Sequence, residues 1–337
     1  MKKLVIASLK IGISVGILVY LVIQAQSNEV FTDLAERTKD WTLLAAATGL
    51  CIVAILITFV RWWYLVRALG IEFSLRESAR LGLLGFLFNL APMGIVGGDV
   101  LKAVLLARQQ PAHRAESLVT VFVDRVIGLY VLFVVGSFAA WVTGIWRLPV
   151  ASVEITCKAL WLLTAMGTVA IAVPLAPDLT RGKSTELVGR IPYVGPWLKR
   201  IIVAVRMYRL KLPVLLGCSL MTVAVHALFA FLIYLICVAL YSPHPTLGTH
   251  FVVVPASSAT QVLPINLGPF EFALDVLYAD IPLPDGGHMA RGQGLVVALG
   301  YRVITLLIAA IGLCYYLASR REVEEGLHEA EIEGIPE

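Results

Sequence analysis

The sequence predicts an all-α polytopic membrane protein with about six transmembrane helices and two re-entrant, broken-helix hairpins that form an inverted repeat. Composition is the first reason, because 59% of the 337 residues are hydrophobic and only 15% are charged, whereas soluble domains carry about 25% charged residues. The second reason is that long apolar segments recur from end to end. The third is a motif of proline, glycine and an acid that interrupts two further apolar segments.

Six uninterrupted apolar segments are each long enough to cross the hydrocarbon core, which takes about 20 helical residues. The predicted spans are residues 4–23, 42–62, 117–144, 155–176, 212–241 and 294–318. The two interrupted segments cover residues 79–107 and 250–278. We therefore predict a single transmembrane domain over residues 1–318, followed by an acidic cytoplasmic tail at 319–337.

Basic residues indicate the orientation of the spans, since loops rich in lysine and arginine stay in the cytoplasm. The lysines after Met1 and the arginines near residue 320 place both termini inside. The loop at 177–211 carries eight basic residues against two acidic ones and is therefore also cytoplasmic. These placements agree with one another only if neither interrupted segment crosses the membrane. Segment 79–107 must enter from the cytoplasm and return to it, and segment 250–278 must enter from the external side and return there.

The two interrupted segments share a motif. The first reads LAPMGIVGGDVLKAVLL, and in it Pro92 precedes Asp99 by seven residues. The second reads VLPINLGPFEFALDVLY, and in it Pro264 precedes Glu271 by the same distance. Each acid is followed by an apolar helix about two turns long.

The complete span that follows each interrupted segment carries an arginine, which extends the similarity between the two segments. Arg125 lies 26 residues after the first acid, and Arg302 lies 31 residues after the second. Proline, acid and arginine therefore follow in the same order on hairpins that the charge rule puts on opposite faces. We interpret this order as an inverted repeat with units 42–144 and 212–318, an arrangement typical of transporters whose broken helices meet around a substrate.

Glycines and prolines at the interruptions are the predicted hairpin breaks. They are Pro92, Gly97, Gly98, Pro264 and Gly268. Glycine lets the backbone turn and approach another chain closely, and Pro269 suits the first position of a helix. Each acid then lies in the first turn of the returning helix, at the positive end of the helix dipole. The acid thus occupies the position that a phosphate would otherwise take.

Seven ionisable residues fall in the apolar segments around these motifs, where an unpaired charge costs about 3 kcal/mol. The residues assigned to substrate binding and translocation are Asp99, Lys102, Arg125, Glu271 and Arg302. An ion network is assigned to Asp124 and Asp275. We predict that the three basic residues among these five bind a phosphate. The two acids would then hold an arginine, a proton or an amine. The alternative is that these two acids only cap helices and pin arginines.

Other chemistry has little support in the sequence. No HExxH, GxSxG, Walker A or GxGxxG motif is present, and the six histidines have no ligand spacing. We therefore expect no catalytic residue, metal, cofactor or nucleic-acid partner. Arg61 is expected near a membrane interface, and His226 is expected to be a packed side chain. The stretch GPWLKRIIVAVRMYRLKL in the basic loop is expected to form an amphipathic helix along the cytoplasmic leaflet.

Two pairs of motifs resemble the lysylphosphatidylglycerol synthase transmembrane-region family, also called flippase-like. The first pair is APMGIVGGDVLKAVLLAR with VFVDRVIGLYVL, and the second is LPINLGPFEFAL with GYRVITLL. The resemblance covers roughly residues 5–318, although NLGPFE stands where the family commonly shows a glycine-rich run. In bifunctional members a membrane half translocates an aminoacylated lipid that a cytosolic domain makes. The resemblance is to that membrane half, so it implies lipid translocation and not lipid synthesis.

The sequence therefore predicts a lipid translocase that moves a phospholipid, an aminoacyl-lipid or a polyprenyl-linked head group between leaflets. A cavity with charges of both signs favours a zwitterionic or aminoacylated head group over a simple anion. The alternatives are a membrane-embedded glycosyl- or phospho-transferase, or a non-transporting partner of an envelope lipid enzyme. The expected location is a prokaryotic inner membrane. Membrane lipids are the expected partners, and a homo-oligomer or an envelope-enzyme partner is left open.

Overall fold

The computed structural model describes the backbone of residues 2–90, 97–175, 206–263, 265, 267–318 and 320. The structure is 85% helical, and its described part contains no strand, which confirms the predicted all-α class. The α-helices are α1 (Lys2–Ser27), α2 (Val30–Glu36), α3 (Trp41–Ala68), α4 (Leu75–Leu90), α5 (Gly98–Gln109), α6 (Arg114–Thr143), α7 (Ala151–Leu175), α8 (Leu212–Leu240), α9 (Leu247–Ala259), α10 (Pro269–Asp280) and α11 (Gln293–Ala318).

The described helices include the segments needed to cross a membrane. Five are long and apolar enough, namely Trp41–Ala68, Pro111–Thr143, Ala151–Ala172, Arg209–Leu240 and Gln293–Leu317. A sixth candidate combines Gly12–Ser27 with α2, which are bent by 64° at the break between them. The five long helices match the predicted spans 42–62, 117–144, 155–176, 212–241 and 294–318 to within a few residues at most ends, whereas the bent pair overlaps the predicted span 4–23 only in part. The chain is therefore an integral membrane protein.

Outward-facing side chains have the character of a lipid-facing surface. Leu162 and Val169 on α7 are 61% and 60% exposed, and Leu216 on α8 is 71% exposed. Apolar surface of this extent is unusual on a soluble monomer. It requires a hydrocarbon environment, in which backbone polar groups are paired within the helices.

Helices α4 and α5 form a hairpin whose two ends meet. At the base, Gln110 Nε2 donates a hydrogen bond of 2.8 Å to the carbonyl oxygen of Glu72. At the tip, the Gly98 N–H donates to Asn89 Oδ1 at 2.9 Å. A Cβ at position 98 would overlap the carbonyl oxygen of Gly85, so only glycine allows the two helices to approach this closely.

Helices α9 and α10 form the second hairpin. The rings of His250, near the start of α9, and Tyr278, near the end of α10, pack with centroids 5.3 Å apart. A short 3₁₀ turn at Thr260–Val262 follows α9, and α10 begins at Pro269 as predicted. Gly268 caps α10 with φ of 107°, a conformation that glycine adopts readily and other residues rarely do.

Helices α3 and α8 pack antiparallel at the centre of the bundle. The Asp40 N–H donates to the carbonyl oxygen of Ala239 at one end, at 3.1 Å. The Tyr208 hydroxyl donates to the carbonyl oxygen of Leu65 at the other end, at 3.0 Å. Helix α3, the first of one predicted unit, therefore packs against α8, the first of the other.

The remaining contacts between the two units are reciprocal. Helix α4 packs against α11, and α9 packs against α6, so the first helix of each hairpin meets the last helix of the opposite unit. Within each unit, α5 packs against α6 and α10 against α11. Such a reciprocal pattern is expected of two units related by a two-fold pseudosymmetry.

The two hairpins approach from opposite ends of α6. The first hairpin ends at Gln109, and a 3₁₀ turn leads directly into the start of α6. The second hairpin begins at the other end, where a Cβ at Gly248 would lie 3.1 Å from Thr143 Cγ2. The hairpin tips therefore point toward each other inside the bundle. The boundary between the predicted domain and its acidic tail stays a prediction, since the structure describes only Arg320 beyond residue 318.

Candidate functional site

A cavity of about 490 Å³ lies between the two units, where the hairpin tips converge. Asn89 from the tip of the first hairpin and Gln261 from the tip of the second both line it. Its charged lining residues are Arg61, Asp99, Lys102, Asp124 and Arg125. Three of the five predicted substrate-binding residues therefore share this cavity.

Asp99, Lys102 and Arg125 form one cluster, which we call the open half-site. The carboxylate of Asp99, in the first turn of α5, pairs through Oδ2 with Nη2 of Arg125 on α6. Lys102 lies one turn further along α5, and its Nζ is 3.7 Å from Asp99 Oδ1. This ammonium group also lies 4.4 Å from the ring centroid of Trp62, within cation–π range. One carboxylate thus holds two cations.

The open half-site is accessible from the cavity. The side chain of Arg125 is 59% exposed and that of Asp99 is 26% exposed. Within the described residues, no group accepts a hydrogen bond from Nε or Nη1 of Arg125, whereas Nη2 pairs with Asp99. A guanidinium carries five N–H donors, and that of Arg125 lines the cavity while one of its nitrogens pairs with Asp99.

Glu271, Arg302 and Gly268 form the corresponding cluster in the second unit, which we call the buried half-site. Arg302 Nε donates to Glu271 Oε1 at 2.7 Å. The Gly268 N–H donates to Glu271 Oε2 at 2.8 Å, so the same carboxylate also caps α10. Glu271 is fully buried, and the side chain of Arg302 is 17% exposed. Glu271 and Arg302 do not line the cavity, although their neighbours Phe270 and Tyr301 do.

The structure shows one of the three uses that the sequence leaves open for the acids. In both half-sites the acid lies in the first turn of its helix and holds an arginine. Glu271 also caps its helix through the Gly268 N–H, whereas α5 has no side-chain cap and Asp99 pairs there with cations. No amine-binding carboxylate is left unoccupied among the described residues of the cavity.

A third ion pair lies beside the open half-site. Arg61 Nε donates to Asp124 Oδ1 at 2.8 Å, and Arg61 Nη1 donates to Thr222 Oγ1 at 2.8 Å. This network joins α3, α6 and α8, and Asp124 therefore takes part in an ion network as the sequence predicts.

Arg61 is not an exposed, snorkelling side chain as expected, because it is buried within the bundle and paired with Asp124. Arg61 is only 6% exposed, because α3 continues to Ala68 instead of ending at residue 62. The uninterrupted stretch RWWYLVRA, with no glycine or proline before Gly70, is the signal that extends the helix. Arg61 thus lies about two turns inside α3, where it requires a partner.

Asp275 does not join the ion network predicted for it. Its Oδ1 accepts hydrogen bonds from the N–H groups of Gly292 at 2.7 Å and Leu295 at 3.2 Å. These donors belong to the start of α11, where the first N–H groups of a helix have no partner within the helix. Among the described residues Asp275 has no ion pair, and its contacts are those of a helix cap.

The predicted hairpin breaks differ in their roles. Gly98 is required by the close approach to α4, and Gly268 by its positive φ. Gly97 precedes α5 with an ordinary φ of −68°, and a Cβ there would have no neighbour closer than 4.0 Å. Pro92 and Pro264 lie outside the described residues, as does most of the predicted amphipathic helix in the loop at 177–211.

His226 also lines the cavity, with Nε2 3.0 Å from the carbonyl oxygen of Gly128. It is packed as expected, and it belongs to the wall of the site. In the described part of the chain, no group of three or more His, Cys, Asp or Glu side chains is placed to hold a metal ion.

Comparison with known proteins gives one finding. The family model described as lysylphosphatidylglycerol synthase TM region matches residues 7–312. The match includes both hairpins and all three ion pairs of the site. No curated protein matches the chain.

Proposed function

Since the chain belongs to the lysylphosphatidylglycerol synthase TM-region family, we propose that it moves a lipid head group between leaflets through the cavity between its two units. The family indicates a membrane protein related to lipid biosynthesis or flipping. Translocation itself is the finer claim that this proposal adds.

The open half-site is the observation that carries the proposal. Asp99, Lys102 and Arg125 bring three charges to a cavity enclosed by helices whose outer faces are apolar. Charges at such depth are costly unless they pair or meet water. A cation with unused donors, such as Arg125, suits a polar cargo that passes through the membrane interior while its acyl chains stay in the bilayer.

The two-unit arrangement supports transport. In this proposal the hairpins are re-entrant, and their tips form a fixed site near the midplane of the bilayer. Rocking of one unit against the other would expose that site to each face in turn. The proposal puts both termini in the cytoplasm of a prokaryotic cell, in agreement with the basic loops.

The proposal assigns no catalytic step. A transferase that used paired carboxylates would need them available to an attacking or leaving group. Asp99 and Asp124 are instead held by Arg125 and Arg61. Purified protein supplied with a lipid donor is therefore expected to give no new lipid product, and formation of a product would support a transferase instead.

Leaflet exchange in proteoliposomes tests the proposal directly. Purified protein is reconstituted with labelled phospholipids, aminoacyl-lipids and polyprenyl-linked lipids in turn, and wild type is compared with Asp99→Asn and Arg125→Ala. The matched control is Lys158→Met, which changes an exposed lysine on α7 outside the cavity. We expect the two cavity variants to slow exchange and the control to leave it unchanged.

Two results would contradict the proposal in different ways. If the wild type exchanges none of the lipids, translocation is wrong. If the cavity variants exchange lipid as fast as the wild type, the assignment of the site is wrong although translocation stands.

A further inference from the structure

The two half-sites differ by one positive charge. Lys102 follows Asp99 by three residues, whereas Leu274 follows Glu271 by three residues and is fully buried in the core. The open half-site therefore combines one carboxylate with two cations, while Glu271 and Arg302 form a neutral pair. This difference was not apparent from the shared order of proline, acid and arginine.

The remaining charged side chains of the cavity cancel each other. Arg61 and Asp124 pair at 2.8 Å, and both are buried. With histidine counted as neutral, the charged residues that line the cavity sum to one positive charge. The start of α5 adds the positive end of a helix dipole at the same place.

The hydrogen-bonding groups of the cavity also favour an anion. Asp99 and Asp124 are each paired with a cation, so the charge of each carboxylate is already balanced by an arginine. Donors are in excess, because Nε and Nη1 of Arg125 have no described acceptor and the ammonium of Lys102 lies 3.7 Å from its nearest carboxylate oxygen. A cavity with spare donors and no spare acceptor carboxylate is built for an anion.

We propose that the open half-site selects a head group with a single phosphodiester and a net charge of −1, and that Lys102 is the specificity-determining residue. The inference rests on the proposed function and names the substrate class of the same site. The phosphate binds between Lys102 and Arg125, while Asp99 holds both cations and Trp62 supports the ammonium. This class replaces the zwitterionic or aminoacylated head group that the sequence favours.

The size of the cavity agrees with this class. A volume of about 490 Å³ corresponds to roughly sixteen water molecules at about 30 Å³ each. A phosphate that bears one glycerol or one sugar ring fits within this volume. Phosphatidylglycerol and a polyprenyl-phosphate-linked monosaccharide share this chemistry, so the experiment must distinguish them.

Head-group selectivity in proteoliposomes tests the inference. The probes are labelled phosphatidylglycerol with net charge −1, phosphatidylethanolamine with net charge zero, lysylphosphatidylglycerol with net charge +1, and a labelled polyprenyl-phosphate monosaccharide with net charge −1. Wild type is expected to exchange an anionic probe about tenfold or more faster than the neutral and cationic ones, as one charged hydrogen bond predicts. The faster of the two anionic probes identifies the lipid carrier.

Substitution of Lys102 separates specificity from transport. Lys102→Met should slow the anionic probe about tenfold and remove most of its preference over phosphatidylethanolamine. Lys102→Arg should restore the preference, because it restores the charge. Lys158→Met is the matched control and should keep the wild-type selectivity.

The outcomes distinguish this inference from the proposed function. Wild type that moves phosphatidylethanolamine or lysylphosphatidylglycerol as fast as both anionic probes overturns the inference and leaves translocation standing. Wild type that moves no probe overturns translocation itself. The wild-type selectivity does not depend on any variant, so a folding defect in Lys102→Met cannot mask the result.

Discussion

The open and buried half-sites carry the same acid and arginine in the same order but expose them differently. The arginine side chain is 59% exposed in the open half-site and 17% exposed in the buried one, and the acids are 26% and 0% exposed. One pair can meet a ligand, whereas the other holds α10 against α11. The comparison shows that a repeated motif can be a binding element in one unit and a packing element in the other.

Tertiary neighbours account for the difference. Helix α1 lies against the tip of the second hairpin, where a Cβ at Gly268 would be 3.0 Å from Ile17. The fully buried Leu274 stands where the first hairpin has Lys102. The close packing of Ile17 against Gly268 therefore helps to keep the buried half-site closed.

The largest expected effect is loss of the acid in the buried half-site. Glu271→Gln leaves Arg302 without its carboxylate in a dry environment and should lower the free energy of unfolding by about 3–5 kcal/mol. Thermal or denaturant unfolding of the protein in detergent measures the change in unfolding free energy. Stability equal to that of the wild type would contradict a structural role for this pair. Glu154→Gln, which removes the exposed partner of Lys158, should leave stability unchanged and serves as the control.

The next effect concerns the tip of the first hairpin. Gly98→Ala places a methyl group against the carbonyl oxygen of Gly85 and should cost about 1–3 kcal/mol of unfolding free energy through overpacking. Gly97→Ala is the matched control, since that position has room for a methyl group and an ordinary φ. Equal stability of the two variants would show that α4 and α5 are not closely packed at residue 98.

Chemical labelling sharpens the contrast between open and buried surfaces. Ser258 lines the cavity, whereas Leu274 is fully buried beside Glu271. In a background with Cys314→Ser, Ser258→Cys should react with a polar maleimide about tenfold or more faster than Leu274→Cys, which corresponds to about 1.4 kcal/mol of differential access. Reaction at equal rates would mean that both half-sites open readily in the resting protein.

The smallest effect is expected for the acid of the open half-site. Asp99→Asn should lower the free energy of unfolding by about 1 kcal/mol or less, because Asp99 and Arg125 are 26% and 59% exposed and an exposed ion pair contributes little to stability. Its effect on lipid exchange should nevertheless be large, in contrast to its effect on stability. A loss of stability as large as that of Glu271→Gln would show that the two half-sites are equally structural.

Local patterns in the chain predict much of the fold. Long apolar segments predict the spans, because about 20 apolar residues suffice to cross the bilayer core. Glycine and proline predict the breaks, because they impose local backbone constraints. The order of acid and arginine marks the charged residues of each unit, and the structure brings together Asp99 with Arg125 and Glu271 with Arg302, which is one of the uses that the sequence leaves open.

Contacts between distant residues are less accessible from sequence. Arg61 and Asp124 lie 63 residues apart, and Thr222 lies 161 residues from Arg61, so no local spacing marks them as partners. Asp275 resembles a member of an ion pair in sequence, yet the start of α11 supplies backbone donors to it instead. Such choices depend on which groups arrive at the same place when the helices pack.

The sequence by itself determined that this chain enters a membrane, where its helices break, and which acids and arginines stand at the breaks, since hydrophobicity and backbone constraint act over neighbouring residues. Only the tertiary structure decided that one half-site faces a cavity and the other lies in the core. It also decided that the cavity retains one positive charge. Exposure and net charge are properties of an assembled surface, and the helices that build this surface come from both ends of the chain.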